Sequence, residues 1–127
     1  MREIKFRGKR IDNGEWVYGC LTKYSKEISY ITVDLIENEV YQVFADTVGE
    51  YIGLKDIDSV DELYTGDIVD TVYDGVLKRY IIVWDESELG FKGTNGKVNY
   101  GHNFEYLQCC EEVKVIGNIS DNPELLN

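Results

Sequence analysis

Residues 53–69 read GLKDIDSVDELYTGDIV: Asp56, Asp58, Asp61, Glu62 and Asp67 crowd together before the chain turns apolar at Ile68 and Val69. The stretch is either a metal-binding loop or the entry to a β-strand. Laid on the calcium-loop template, Asp56, Asp58 and Asp67 fall at positions one, three and twelve. The match fails at position five, which is Val60, and at position six, where Asp61 stands in place of the glycine that the sharp turn needs. Position twelve also lacks the bidentate glutamate, and no amphipathic helix flanks the segment. The strand reading is therefore adopted. Gly66-Asp67 turns the chain into a strand DIVDTVY, and the acids before it form a solvated loop. Within that loop SVDELY (59–64) is expected to make one helical turn, with Ser59 as N-cap and Glu62 at the capping-box position.

Outward from this point the chain reads as β-structure. There are 12 glycines and one proline, and three of the glycines follow Asn or Asp between strand-like runs: Asn13-Gly14, Asp74-Gly75 and Asn95-Gly96. Such pairs accept positive φ at both central positions of a two-residue type I′ hairpin. With Asn13-Gly14 as the turn, Asp12 faces Glu15, Ile11 faces Trp16, Lys9 faces Tyr18, Arg7 faces Cys20 and Phe6 faces Leu21. ISYITVDL (28–35) and VYQVF (40–44) form a second pair. With Asp74-Gly75 as the turn, Val72 faces Leu77, Asp70 faces Arg79 and Ile68 faces Ile81, the opposite charges supporting that register. Asn95-Gly96 sets Phe91 opposite Tyr100. EVKVIGNIS (112–120) places Val113, Val115 and Ile119 on one face, and NPELL (122–126) starts a helical turn capped by Asn122.

The expected fold is mainly β, built of antiparallel hairpins, with about five strands from Ile68 onward making a small SH3-like barrel and one or two short helical turns elsewhere. The expected organisation is an N-terminal hairpin region over 1–55, an acidic connection over 56–66 and the barrel over 67–127.

Composition narrows the function. The 127 residues carry 43% hydrophobic and 13% aromatic side chains, enough for a core. The longest apolar run, Tyr80-Ile81-Ile82-Val83-Trp84, is far too short for a membrane span. The N-terminus lacks the apolar stretch of a signal peptide, so a cytoplasmic protein is expected. Cys20, Cys109 and Cys110 fit a reducing compartment better than a disulfide framework. Net charge is −11, and it is uneven. Residues 1–30 hold 7 basic and 4 acidic residues, net +3, and the remainder hold 6 basic and 20 acidic, net −14.

His102 is the lone histidine, and no CxxC or HxxxH spacing joins it to the cysteines, so no metal site is expected. Carboxylate clusters such as WDESE say nothing about acid–base chemistry in so acidic a chain. No phosphate loop or serine elbow occurs. The chain is therefore expected to be no enzyme and to need no cofactor.

One constellation stands out. The first hairpin sets Lys5, Arg7 and Lys9 on one face with Trp16 and Tyr18. Basic groups interleaved with aromatics are what single-stranded nucleic-acid platforms use. The same pattern also arises when rings merely cover basic stems, or when a +3 segment docks on an acidic surface within the chain or on another copy. The last two are preferred, because the field of the whole chain opposes nucleic acid.

The blocks REIKFRGKRIDNGEWVYG at the start, TVGEYIGLKD (47–56), LYTGDIV (63–69), IIVWDE with Phe91 beyond it, and VIGNISDNPELL at the end lie in order along nearly the whole chain. Together they resemble the YopX-type proteins of phages and prophages from Gram-positive bacteria. NYGHNFEYLQCC matches no family block, and IDSVDEL is more acidic than the family's usual turn. The resemblance implies a phage-borne, cytoplasmic, mainly β protein with a barrel-like C-terminal part, and it supplies no catalytic residues. The function expected is that of an accessory protein acting by binding a macromolecular partner, through self-association or a host or phage protein, with no membrane partner. The alternatives are a nucleic-acid-binding module using the strand 1–2 face and an acidic inhibitor of a basic host protein.

Overall fold

The computed structural model describes residues 3–34, 36–37, 39–56, 58–59, 61–95 and 104–126. The chain is mainly β, with two antiparallel sheets and two compact units, Met1–Tyr51 and Ile52–Asn127. The helical segments among the described residues are short 3-10 turns at Ala45–Thr47, Leu107–Cys109 and Pro123–Leu126.

In the first unit β1 (Phe6–Lys9), β2 (Trp16–Lys23), β3 (Ser29–Asp34), β4 (Glu39–Val43) and the start of β5 (Gly49–Lys55) lie in the order β4-β3-β2-β1-β5. The second hairpin forms as read, with Ile31 opposite Tyr41 and Thr32 opposite Val40. The first does not have the expected register. Lys9 faces Trp16, Arg7 faces Tyr18 and Phe6 faces Gly19, two residues away from the two-residue turn. The reason is local. Among the described residues only Asp74 and Leu89 hold positive φ without being glycine, so Asn13 does not adopt the left-handed geometry that a type I′ turn requires. Arg10 N donates to Glu15 O (2.9 Å) and Gly14 N to Arg10 O (2.9 Å), closing a loop over Ile11–Gly14 with Gly14 alone left-handed at φ 73°. The Asn13 side chain accepts from Glu15 N (2.9 Å), and Arg10 clasps Asp12 with two hydrogen bonds of 2.9 and 2.6 Å.

A ring-closing contact also forms in this unit. Arg10 bridges Val43, and Phe44 N donates to Lys9 O (2.9 Å), so the end of β4 meets the end of β1. Gly8 makes this approach feasible, since a Cβ there would lie 2.9 Å from a Val43 methyl. Ile31 and Val43 of this unit are fully buried.

In the second unit β6 (Glu62–Tyr64) neighbours β5, and β7 (Asp67–Tyr73), β8 (Val76–Asp85), β9 (Gly90–Thr94), β10 (Phe104–Glu105) and β11 (Glu112–Asn118) form a sheet in the order β10-β9-β8-β7-β11. The five strands expected from Ile68 onward are present. No ladder joins β10 to β11 among the described residues, so the sheet is five-stranded and antiparallel and closure into a barrel is not seen. The β7–β8 hairpin has the register read from Asp74-Gly75: Ile68 faces Ile81, Asp70 faces Arg79 and Val72 faces Leu77. Asp74 (φ 51°) and Gly75 (φ 76°) are both left-handed, as a type I′ turn demands. Arg79 reaches Asp70 at 2.8 Å.

Three local readings are corrected. Residues 62–64 are a strand, not part of a helical turn, and Ser59 caps nothing helical. Gly96 and Tyr100 lie outside the described residues, but Thr94 pairs with Phe104, whereas a two-residue turn at Asn95-Gly96 would bring it to Lys97. In β11 a bulge at Ile116 shifts the register between Val115 and Gly117, so Val113 and Val115 face the core while Ile119 lies past the strand, partly exposed. The Pro123–Leu126 turn forms as expected, with Asn122 ahead of it: the Asn122 carbonyl accepts Leu125 N (3.1 Å) and its Oδ1 accepts Asn118 N (3.2 Å). The core of this unit is Ile52, Leu63, Val69, Tyr80, Ile82, Leu107 and Val113, with Leu54, Phe91, Cys110 and Val115 packed on it.

Candidate binding site

The five residues singled out in the first unit share one face despite the shifted hairpin. A slip of two residues preserves the side to which each side chain points. The Arg7 guanidinium lies 4.7 Å from the centre of the Trp16 ring and Lys9 Nζ 5.7 Å from the same ring. Lys5 Nζ lies 5.9 Å from the Tyr51 ring and 3.5 Å from a Glu3 oxygen. Beside them Arg10 lies 4.2 Å over Tyr41, and its charge is held by Asp12, which raises the guanidinium pKa and lowers that of the carboxyl. Arg7 is buried at 7% exposure, Trp16 is half-buried and Tyr18 is 45% exposed. The face is thus a packed cation–aromatic layer, with Tyr18 as its exposed ring.

The acid-rich stretch 53–69 is not merely solvated. Asp56 is 3% exposed and accepts three backbone N–H groups, from Asp58 (2.8 Å) and Ser59 (3.0 Å) on one oxygen and from Val115 (2.7 Å) on the other. Burial alone would raise its pKa, but the N–H groups of Ser59, Val115 and Asp58 outweigh it and hold the carboxyl below the usual range. Asp67, also buried, accepts Tyr64 N (2.8 Å). Two of these acids are therefore structural acceptors, and Asp58 and Asp61 are the exposed ones.

A second arrangement escaped the sequence reading. WDESE ends β8 and opens the turn into β9. Asp85 Oδ1 accepts the N–H of Ser87 (2.8 Å) and of Glu88 (3.2 Å) and the Ser87 hydroxyl (2.6 Å), which fixes the turn. Its other oxygen meets the ammonium of Lys92, a side chain 2% exposed. Lys92 faces Val83 across the hairpin, so Asp85 is its diagonal neighbour on the same side of the sheet. Glu88 lies 3.7 Å from the same ammonium and accepts the Tyr106 hydroxyl (2.9 Å). Hydrogen bonding to Lys92 and Ser87 holds the Asp85 carboxyl far below the usual range, Asp85 pushes Lys92 up, and Glu88 raises the Tyr106 hydroxyl.

This cluster borders a cleft of about 380 Å³ whose apolar wall is Ile52, Leu54, Phe91 and Leu107, with Glu88, Lys92, Tyr106 and Gln108 supplying polar groups. Phe91 is fixed by an edge-on contact with Trp84, its cross-strand partner, at 5.0 Å between centroids. A concave, mostly apolar site with a few converging polar groups is the ordinary form of a ligand pocket. The signal in the sequence was slight: a lysine inside the strand-like FKGT, with an acid at the diagonal position of the partner strand. Of the cysteines, Cys110 packs on the core, and burial pushes its thiol up to about 11, so it is protonated at neutral pH. His102 lies outside the described residues. Among the described residues no helix is long and apolar enough to cross a membrane.

No curated protein is similar enough to the chain to match it. The family model described as YopX protein matches residues 5–127, from the first basic strand through the C-terminal turn, and the chain belongs to the YopX family.

Proposed function

We propose that the chain is a phage accessory protein that acts by binding a basic protein partner rather than by catalysis. The observation that carries this reading is the position of the cleft. It lies in the unit spanning residues 52–127, which holds 6 basic and 15 acidic residues, net −9. Such a field attracts cationic partners and repels polyanions. Lys5, Arg7, Lys9 and Arg10 of the first unit, by contrast, already lie against rings or carboxylates.

A second reading keeps the first unit as a nucleic-acid module, favoured by the exposed Tyr18 ring beside Trp16 and Lys9. Light scattering at about 50 mM and 500 mM salt separates the two, with a nona-arginine peptide and a mixed single-stranded oligonucleotide as probes. The expected result is a peptide complex at low salt that weakens at high salt, with the oligonucleotide ignored. Oligonucleotide binding that disappears in a Trp16→Ala variant would overturn the proposal in favour of the second reading. The mass of the protein alone reports self-association in the same measurement.

A further inference from the structure

We infer that the cleft beside Lys92 is the seat of a single arginine side chain contributed by a basic segment of the partner. The inference rests on the basic-partner reading above and names its contact site. An arginine presents an aliphatic stem and a planar, weakly hydrated cation. Ile52, Leu54 and Leu107 offer an apolar wall for the stem, and Phe91 adds an aromatic side chain to the lining, the residue type with which a guanidinium associates. Glu88 supplies the carboxylate. One of its oxygens accepts the Tyr106 hydroxyl, while the other stands 3.7 Å from Lys92, beyond hydrogen-bond reach. An ionised carboxylate has about four acceptor directions, so Glu88 retains capacity for a guanidinium fork.

The charge balance selects a cation over an anion. Asp85, Glu88 and Lys92 together carry −1, and Lys92 is already neutralised by Asp85. An incoming carboxylate would have to displace Asp85 from an ion pair that also anchors the turn, whereas an incoming guanidinium meets the surplus negative charge.

Next to Glu88 the chain carries a further mark. Leu89 is 78% exposed and sits at φ 54°, a left-handed conformation that leucine adopts at a cost. It stands in the chain between two residues that line the cleft, Glu88 and Gly90, and is suited to meet an apolar residue adjacent to the partner's arginine.

The test is an amide NMR titration of the whole chain with the peptide acetyl-Leu-Arg-Leu-amide and its citrulline analogue, which keeps the shape and removes the charge. The arginine peptide is expected to shift the signals of Glu88, Gly90, Lys92 and Leu107. Citrulline in the peptide, or Glu88→Gln in the protein, is expected to weaken binding about tenfold, the scale of one charge-assisted hydrogen bond. Leu89→Gly, which relieves the left-handed strain and leaves the charge untouched, is expected to weaken it to a smaller degree while raising Tm. Equal affinity for the citrulline analogue, or shifts confined to other acidic surface, would sink this site while leaving a basic partner in place. If neither this peptide nor nona-arginine binds, the site and the basic-partner reading fall together.

Discussion

Replacing Asp56 by alanine is expected to destabilise the protein by about 3 kcal/mol, because three backbone N–H groups lose a buried acceptor at once. The more informative variant is Asp56→Asn. Its carbonyl oxygen can serve either Asp58 and Ser59 or Val115, and its NH₂ then faces the remaining N–H, donor against donor. It is expected to cost nearly as much as alanine. Urea unfolding decides the matter, and an asparagine variant within about 0.5 kcal/mol of the parent would show that the acceptor role has been misread. The pH dependence has a definite sign. A carboxyl whose folded pKa lies below the ordinary 3.8 contributes stability that is fully present above that value and is lost as pH falls through the folded one. The gap between parent and Asp56→Asn should therefore hold above pH 3.8 and close as pH falls through the lower folded value.

The second large effect is expected at Lys92. Lys92→Met leaves Asp85 facing Glu88 without the intervening cation and should lower Tm by about 10 °C, in line with the cost of breaking a buried pair from one side. Asp85→Asn keeps an oxygen for Ser87 and Glu88 but strands the buried ammonium. The double variant removes both charges and should lose less than the sum of the single losses, the signature of a coupled pair. Strict additivity would show that the two residues act separately. In the parent the pair is intact over a wide range. The depressed Asp85 pKa keeps its contribution in place above 3.8 and loses it as pH falls through the lower folded value. The raised Lys92 pKa keeps its contribution below 10.5 and loses it as pH rises through the higher folded value.

The contrast between the two hairpins shows how far turn chemistry can be read. Asp74-Gly75 and Asn13-Gly14 look equivalent on paper. At the first, both residues are left-handed and the expected register holds from Ile68 to Arg79. At the second, Arg10 is bound to Asp12 and the Asn13 side chain to Glu15 N, so a four-residue loop forms instead. The face shared by Arg7, Lys9, Trp16 and Tyr18 survived that error because a slip of two residues leaves side-chain parity unchanged.

The sequence by itself determined the mainly β class, the β7–β8 register, the strand DIVDTVY and the basic–aromatic face, because these depend on a two-residue period and on turn residues adjacent in the chain. The tertiary structure decided what individual polar side chains do. Asp56, Asp67, Asp85 and Lys92 read as solvated charges until the partners that account for them are in place: the N–H of Val115, 59 residues from Asp56, or a lysine brought to Asp85 by the hairpin. The cleft arose in the same way. Its wall is drawn from β5, β9 and the Leu107–Cys109 turn, segments far apart in the chain, and burial and charge pairing depend on what folding brings together.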